Sequence, residues 1–232
     1  MSAPAANVEL ELKFTVPEPM APAVLPWLRA YCRPHPEYPE AWISSVYYDT
    51  PDWRSLNEKI NSDYYKRKVR LRWYRMPGES AVTGGAFIEE KQKAGSVREK
   101  VRAELSRPAS FWAAEPLASP AFTEALTGLT EQGVADLTRI QPAFQLGYHR
   151  RRFIHSFSTA ILCLDTNIRV ERVNGGRFSR GHPAPLAMAV LEQKSPLDRM
   201  DPVFDGLERF GLRRSAFSKY QSCFLHLTND FL

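Results

Sequence analysis

Tyr64-Tyr65-Lys66-Arg67-Lys68-Val69-Arg70-Leu71-Arg72-Trp73-Tyr74 is the stretch on which the fold turns. Its side chains alternate: Lys66, Lys68, Arg70 and Arg72 share one face, Val69, Leu71 and Trp73 the other, which predicts a strand over 64–74. Taken alone, the stretch also fits a nucleic-acid-binding strand, with aromatics for stacking and cations for the backbone.

The same two-residue period continues on both sides. Downstream, 87–93 sets Phe87, Glu89, Lys91 and Lys93 together. Residues 96–105 set Arg98, Lys100, Arg102 and Glu104 opposite Val97, Val101 and Leu105. Upstream, 44–49 ends in the turn formers Asp49-Thr50-Pro51-Asp52. At the start of the chain, 8–16 places Val8, Leu10, Leu12 and Phe14 against Glu9, Glu11 and Lys13. Further strands are predicted over 143–156, 159–170 and 186–194, the last with Val190, Glu192 and Lys194 against Ala189 and Leu191. About eight strands with mostly short connections suit an antiparallel sheet or barrel. Helices are expected over 20–32, over 121–131 after the cap Ser119-Pro120, over 203–210 after Asp201-Pro202, and from 216 to about 228.

The 232 residues and their ordinary charged and apolar fractions suit one globular domain, expected to span 1–232. A net charge of +5 is compatible with an anionic partner of several kinds. Cys32, Cys163 and Cys223 are widely spaced and lack any CxxC pairing, which argues against a disulfide framework or a structural zinc site. Cys163 lies in an apolar run and is expected to be inert core. No secretion signal or stretch of about 20 apolar residues is evident, so a cytoplasmic location without direct membrane insertion is expected. Any membrane association would pass through a membrane-protein partner encoded separately.

Several strands each carry two or three cations on one face, some with a carboxylate in line. If the sheet closes, these faces converge on a lumen wide enough for side chains or one small ligand. Buried like charges at such spacing repel by several kcal/mol at an effective dielectric of about 20, so an anion must occupy the space or water must fill it. A triphosphate, dense and linear, matches guanidinium forks and ammonium groups. Glu9, Glu11, Glu89 and Glu192 then serve as oxygen ligands for Mg²⁺ or Mn²⁺. Carboxylates on the same faces disfavour a nucleic-acid partner. The expected fold is α+β: a closed eight-stranded antiparallel β-tunnel with peripheral helices.

With those residues in hand, the chain resembles the triphosphate tunnel metalloenzyme (CYTH-like) superfamily and, within it, the VTC (vacuolar transporter chaperone) polyphosphate polymerase domain. Glu9-x-Glu11-x-Lys13 is similar to the superfamily's ExExK. Val46–Asp52 and Lys66–Tyr74 resemble the second and third VTC motifs, and Phe87–Lys91 the F-x-E-x-K strand. Tyr148-His149-Arg150, Leu164-Asp165-Thr166, Leu191-Glu192-Gln193-Lys194 and Phe217-Ser218-Lys219-Tyr220 resemble the remaining motifs in order. The resemblance implies transfer of the terminal phosphate of ATP to polyphosphate with Mn²⁺ or Mg²⁺; a tripolyphosphatase, an organic triphosphatase and a non-catalytic polyphosphate-binding module are the alternatives. It implies Lys91, Arg70, Arg72 and Lys219 as the catalytic cations and Glu192, Glu9, Glu11 and Glu89 as metal ligands. Lys13, Lys68, Lys93, Arg102, Tyr148, Arg150, Arg152 and Lys194 would bind substrate. Ile161 stands where the family has an Arg, so one phosphate contact is either missing or supplied by Arg152 or Arg169.

Overall fold

A computed structural model of the chain describes residues 10–158, 160–179, 181, 184–195 and 200–228. Its strands are β1 (Leu10–Pro17), β2 (Cys32–Pro34), β3 (Glu40–Asp49), β4 (Tyr65–Arg75), β5 (Ala86–Ala94), β6 (Val97–Leu105), β7 (Gln141–His155), β8 (Ile161–Val173), β9 (Met188–Ser195) and β10 (Arg213–Arg214). The helices are α1 (Ala21–Tyr31), α2 (Arg54–Ile60), α3 (Ala109–Ala114), α4 (Pro120–Glu124), α5 (Thr127–Thr130) and α6 (Lys219–Thr228). The strands form a ten-stranded antiparallel sheet in the order β10-β1-β9-β8-β7-β3-β4-β5-β6, with β2 on β7.

The expectation of eight strands in a closed circuit is corrected on both counts. β2 and β10 span three and two residues, too short to show alternation in sequence. The hydrogen-bonded order is linear among the described residues, with β10 and β6 at its ends. Periodicity tells which side chains share a face; it carries no information on which strands meet at the edges.

The chain divides into two compact units. The first comprises Met1–Glu40, His149–Asn167 and Ala187–Phe217; the second comprises Ala41–Tyr148, Ile168–Leu186 and Ser218–Leu232. In the first, Phe14 and Val16 of β1, Leu162 and Leu164 of β8, and Ala189 and Leu191 of β9 bury one sheet face against Val24 and Leu28 of α1 and Phe204 and Leu207. In the second, Val69, Leu71 and Trp73 of β4 and Ala86 and Ile88 of β5 pack on Trp112, Phe122 and Leu129 of the helices. In each unit the alternate positions of these strands are thereby turned to the other face, where the charges lie.

Two expected helices are shorter than their sequence suggests. The 121–131 segment splits into α4 and α5, because the Thr127 hydroxyl takes the Glu124 carbonyl at 2.8 Å and competes with the helix ladder. The 203–210 segment becomes two 3-10 turns, Pro202–Phe204 and Leu207–Phe210, separated by Gly206 at φ 81°. The run at 49–52, read as a turn, continues into α2. Asp49 Oδ1 accepts from the Thr50 and Ser55 amides and Oδ2 from the Leu56 amide, capping that helix. No helix among the described residues is long and apolar enough to cross a membrane, which says nothing about strands.

Candidate functional site

The second unit gathers cations in cross-strand rows. Register sets Lys66 opposite Lys93 and Lys93 opposite Arg98; the next row is Lys68, Lys91 and Lys100; then come Arg70, Glu89 and Arg102, and finally Arg72, Phe87 and Glu104. Directly opposed side chains of antiparallel strands stand about 5 Å apart, a spacing at which like charges destabilise the sheet. These rows hold nine cations and two carboxylates.

At the buried end the charges are tightly held. Arg70 donates to Glu89 Oε2 from Nε at 2.9 Å and from Nη2 at 2.7 Å. Lys100 Nζ and Arg102 Nε approach Glu89 Oε1 at 2.9 and 3.6 Å. Glu89 is 1% exposed. Burial by itself would raise its pKa, but Arg70, Arg72 and Lys100 outweigh that and hold the carboxyl well below the usual range. Arg72 donates from Nε to Ser45 Oγ at 3.0 Å and from Nη2 to Tyr148 Oη at 3.1 Å. Lys219, the first residue of α6, places Nζ 4.9 Å from the Tyr148 ring centroid, and Arg102 stacks over Phe87 at 3.7 Å. Lys219 owes its placement to Tyr220, whose hydroxyl donates to Asp49 Oδ2 at 2.6 Å.

In the first unit the charges balance. Arg150 donates to both oxygens of Asp165 at 2.6 Å and from Nη2 to Glu192 Oε2 at 2.8 Å. Lys13 Nζ lies 3.8 Å from Glu192 Oε1 and 3.1 Å from Glu11 Oε1. Lys13 and Glu192 are register partners of β1 and β9, as are Glu11 and Lys194. Three carboxylates, Glu11, Asp165 and Glu192, thus share a face with three cations, Lys13, Arg150 and Lys194. Cys163, opposite Glu192 on β8, is buried, and its thiol is pushed up by burial first and then by Asp165 and Glu192.

These placements sort the expected site residues. Arg70, Arg72, Glu89, Lys91, Lys68, Lys93, Arg102, Tyr148 and Lys219 belong to the second unit's charged face; Lys13, Glu11, Arg150, Glu192 and Lys194 belong to the first unit's. Arg152 is placed elsewhere, donating to the Tyr38 carbonyl at 3.2 Å at the surface. Glu9 lies outside the described residues. Asp165, of the Leu164-Asp165-Thr166 run, is fully buried and fixes the Arg150 fork. Lys66, Arg98 and Lys100 complete the rows. Their shared face was legible in sequence, but the register that aligns them was not.

Among the described residues, no three His, Cys, Asp or Glu side chains stand together as a ready metal cage. The donor set that fits a hard divalent ion is the Glu11–Glu192 pair beside Lys13, since Mg²⁺ binds through one or two carboxylates when phosphate oxygens supply the rest. A second grouping, Ser158, His155 and Asp201, is structural. Ser158 Oγ and Asp201 Oδ2 both meet the same ring nitrogen, Nδ1, at 2.8 and 3.0 Å, so no proton relay crosses the imidazole. Asp201 also caps the Val203 amide at 3.0 Å.

The fold is an antiparallel sheet that carries a charged face in each unit. The VTC domain model matches residues 8–228, and the chain belongs to the VTC domain family. None of the curated proteins matches it in sequence. In structure it is similar to HpAC1 from Hippeastrum, a proposed adenylyl cyclase described as revealing a dominant triphosphatase activity. They share 17% identity over 97% of both chains, with a TM-score of 0.52. It is likewise similar to bh2851 from Bacillus halodurans, a proposed adenylate cyclase, at 16% identity over 90% of this chain and 93% of that one, with a TM-score of 0.51. At these identities the likeness is one of fold.

Proposed function

We propose that residues 1–232 act as one domain that catalyses metal-dependent phosphoryl transfer on a triphosphate or polyphosphate, extending polyphosphate with the terminal phosphate of ATP. The observation that carries this reading is the ladder of cation rows on β4, β5 and β6. Successive same-face residues are about 6.8 Å apart along a strand, so Lys66 to Arg72 covers roughly 20 Å. A single phosphate would satisfy one row. A linear polyanion satisfies all of them, and removes the repulsion that the rows carry when they face each other without one.

In this reading Arg70, Arg72, Lys91 and Lys219 hold the transferred phosphate, and Lys68, Lys93, Arg102 and Tyr148 hold the rest of the chain. In the first unit, Lys13, Arg150 and Lys194 serve phosphate oxygens. Glu192 and Glu11, with Glu9, would hold Mg²⁺ or Mn²⁺, which supplies charge neutralisation on phosphate oxygens. Glu89 is better described as the anchor of Arg70 than as a metal ligand, because Arg70, Lys100 and Arg102 already occupy its oxygens. The protein's own contribution is positioning and electrostatic stabilisation; the transition state of phosphoryl transfer leaves it little covalent chemistry.

Incubation with ATP and Mn²⁺ or Mg²⁺, with products resolved on a gel, tests the proposal. Long phosphate chains are expected from the wild type, and none from Lys91→Ala or Glu192→Ala variants whose circular dichroism is unchanged. Wild-type turnover by either variant would remove the site assignment. Release of orthophosphate alone would establish the hydrolase alternative, which the described triphosphatase activity of HpAC1 favours. Tight polyphosphate binding without turnover under any metal would leave a binding module.

A further inference from the structure

Tyr64 stands at the head of β4 and has no part in the roles assigned above. The β4–β5 ladder does not stop at the Tyr65–Ala94 pair: the Gly95 amide donates to the Tyr64 carbonyl at 3.0 Å, which sets Tyr64 opposite Gly95. Alternation places that pair on the cation face, two residues beyond Lys66 and Lys93. Gly95 has φ 60°, where glycine is favoured. A Cβ on it would lie 2.7 Å from Cε2 of Tyr64 and 2.9 Å from its Cζ and Oη, so the ring rests directly against bare backbone.

Covering a glycine would account for a buried ring, but Tyr64 is 77% exposed. The backbone beneath fixes the ring, and most of its surface still meets water. It is a held π-surface at the open end of a charged track. From Tyr64 the Lys66–Lys93–Arg98 row lies roughly 7 Å along the strand, the Lys68–Lys91–Lys100 row roughly 14 Å and the Arg70 row roughly 20 Å. The distance to the Lys91 row is of the order spanned by a ribose and three phosphates. Aromatic side chains stack on every base, since each has a π-face, while neighbouring cations hold the phosphates.

We propose that Tyr64 is a specificity residue, its exposed ring stacking on the nucleobase of a nucleoside triphosphate whose phosphates run inward along the cation rows, terminal phosphate foremost toward Lys91. The inference rests on the phosphate-binding reading above and deepens it, because it names an organic rather than an inorganic triphosphate as the ligand. Stacking contributes only where a base is attached, so Tyr64 acts on ATP and leaves tripolyphosphate untouched.

Titration calorimetry with ATP and with tripolyphosphate, both without metal so that neither turns over, on wild type, Tyr64→Ala and Tyr64→Phe tests this. Tyr64→Ala should weaken ATP about tenfold and tripolyphosphate by less than about twofold; Tyr64→Phe, which keeps the ring, should stay near wild type for both. An equal loss for both ligands, which a purely structural role would give, or no loss for ATP, overturns the assignment. So does a single-stranded oligoadenylate that the wild type binds more tightly than ATP, which would make the ring part of a nucleic-acid surface. A wild type that binds neither triphosphate sinks the phosphate reading as well, whereas one that binds tripolyphosphate and not ATP sinks this inference alone. Should Tyr64→Ala not fold, Tyr64→Trp decides: ATP should quench the added fluorescence and tripolyphosphate should not, and an equal response to the two overturns the proposal.

Discussion

The charged faces of the two units are built from the same strand periodicity and end in different electrostatic states. In the first unit, Arg150 is clamped by Asp165 and Glu192, and Lys13 by Glu192 and Glu11, so the cations are consumed by carboxylates at close range. In the second unit, Glu89 is shared among Arg70, Lys100 and Arg102, and whole rows such as Lys68–Lys91–Lys100 have no carboxylate in register. The first is a self-satisfied network in which cations and carboxylates match in number. The second carries more cations than carboxylates in its rows. Alternation alone therefore does not set a face's charge; the sign left over after pairing does, and on the proposed reading that surplus is what a polyanion meets.

The difference is broken most sharply at Arg150. Arg150→Ala would leave Asp165, 0% exposed, and Glu192, 4% exposed, as adjacent buried carboxylates. Removing one partner from such a network destabilises a fold by about 3–5 kcal/mol. Urea unfolding should show that loss as a lower midpoint at unchanged slope. Arg70→Ala should cost roughly half as much, because Glu89 keeps Lys100 at 2.9 Å and Arg102 at 3.6 Å. Equal losses would mean that the two faces do not differ in self-sufficiency.

Binding should rank the units the other way. Arg72→Ala removes the fork that spans Ser45 and Tyr148, and its affinity for tripolyphosphate without metal should drop roughly thirtyfold, about 2 kcal/mol. Glu192→Gln should weaken binding only when Mg²⁺ or Mn²⁺ is present. Calorimetry with and without the ion separates these outcomes, and a metal-independent loss at Glu192 would remove the metal assignment.

Glu89 offers a smaller effect with a definite sign. Its folded pKa lies below the unfolded value near 4.3, so the stability it contributes is present above that pH and is lost as pH falls toward the folded value. Thermal melts of the wild type should therefore decline on acidification below about pH 4, and Glu89→Gln should decline less. Parallel curves would show that the Arg70, Arg72 and Lys100 charges do not stabilise the carboxylate.

Much of this was legible in the chain. The faces of β4, β5 and β6 follow from alternation at Lys66–Arg72, Phe87–Lys93 and Arg98–Glu104, because side-chain direction in a strand is a local property. Register is not local, and it is what makes Glu89 the common partner of Arg70 and Arg102 and lines Lys68 up with Lys91 and Lys100. Nothing near Asp165 in sequence announces its partner Arg150, fifteen positions earlier on the neighbouring strand. The splitting of 121–131 hinges on one hydroxyl, Thr127, choosing a backbone carbonyl, a competition that propensity does not resolve.

The outermost row gives the finest test of the comparison. Lys66, Lys93 and Arg98 stand in register beyond Lys68, Lys91 and Lys100, toward the turn between β5 and β6, and Arg98 is exposed. Solvent screens such charges, so each contributes little. If the rows form one track, Lys66→Ala and Lys93→Ala should leave affinity for tripolyphosphate within about twofold, because three phosphates are held by the inner rows. The same variants should weaken binding of long-chain polyphosphate by roughly threefold, a loss that shrinks as salt is raised. Competition between the two ligands for each variant measures this ratio directly. An equal loss for both would place the short ligand at the outer row, and no loss for either would confine the anion to the buried Arg70–Arg72 end.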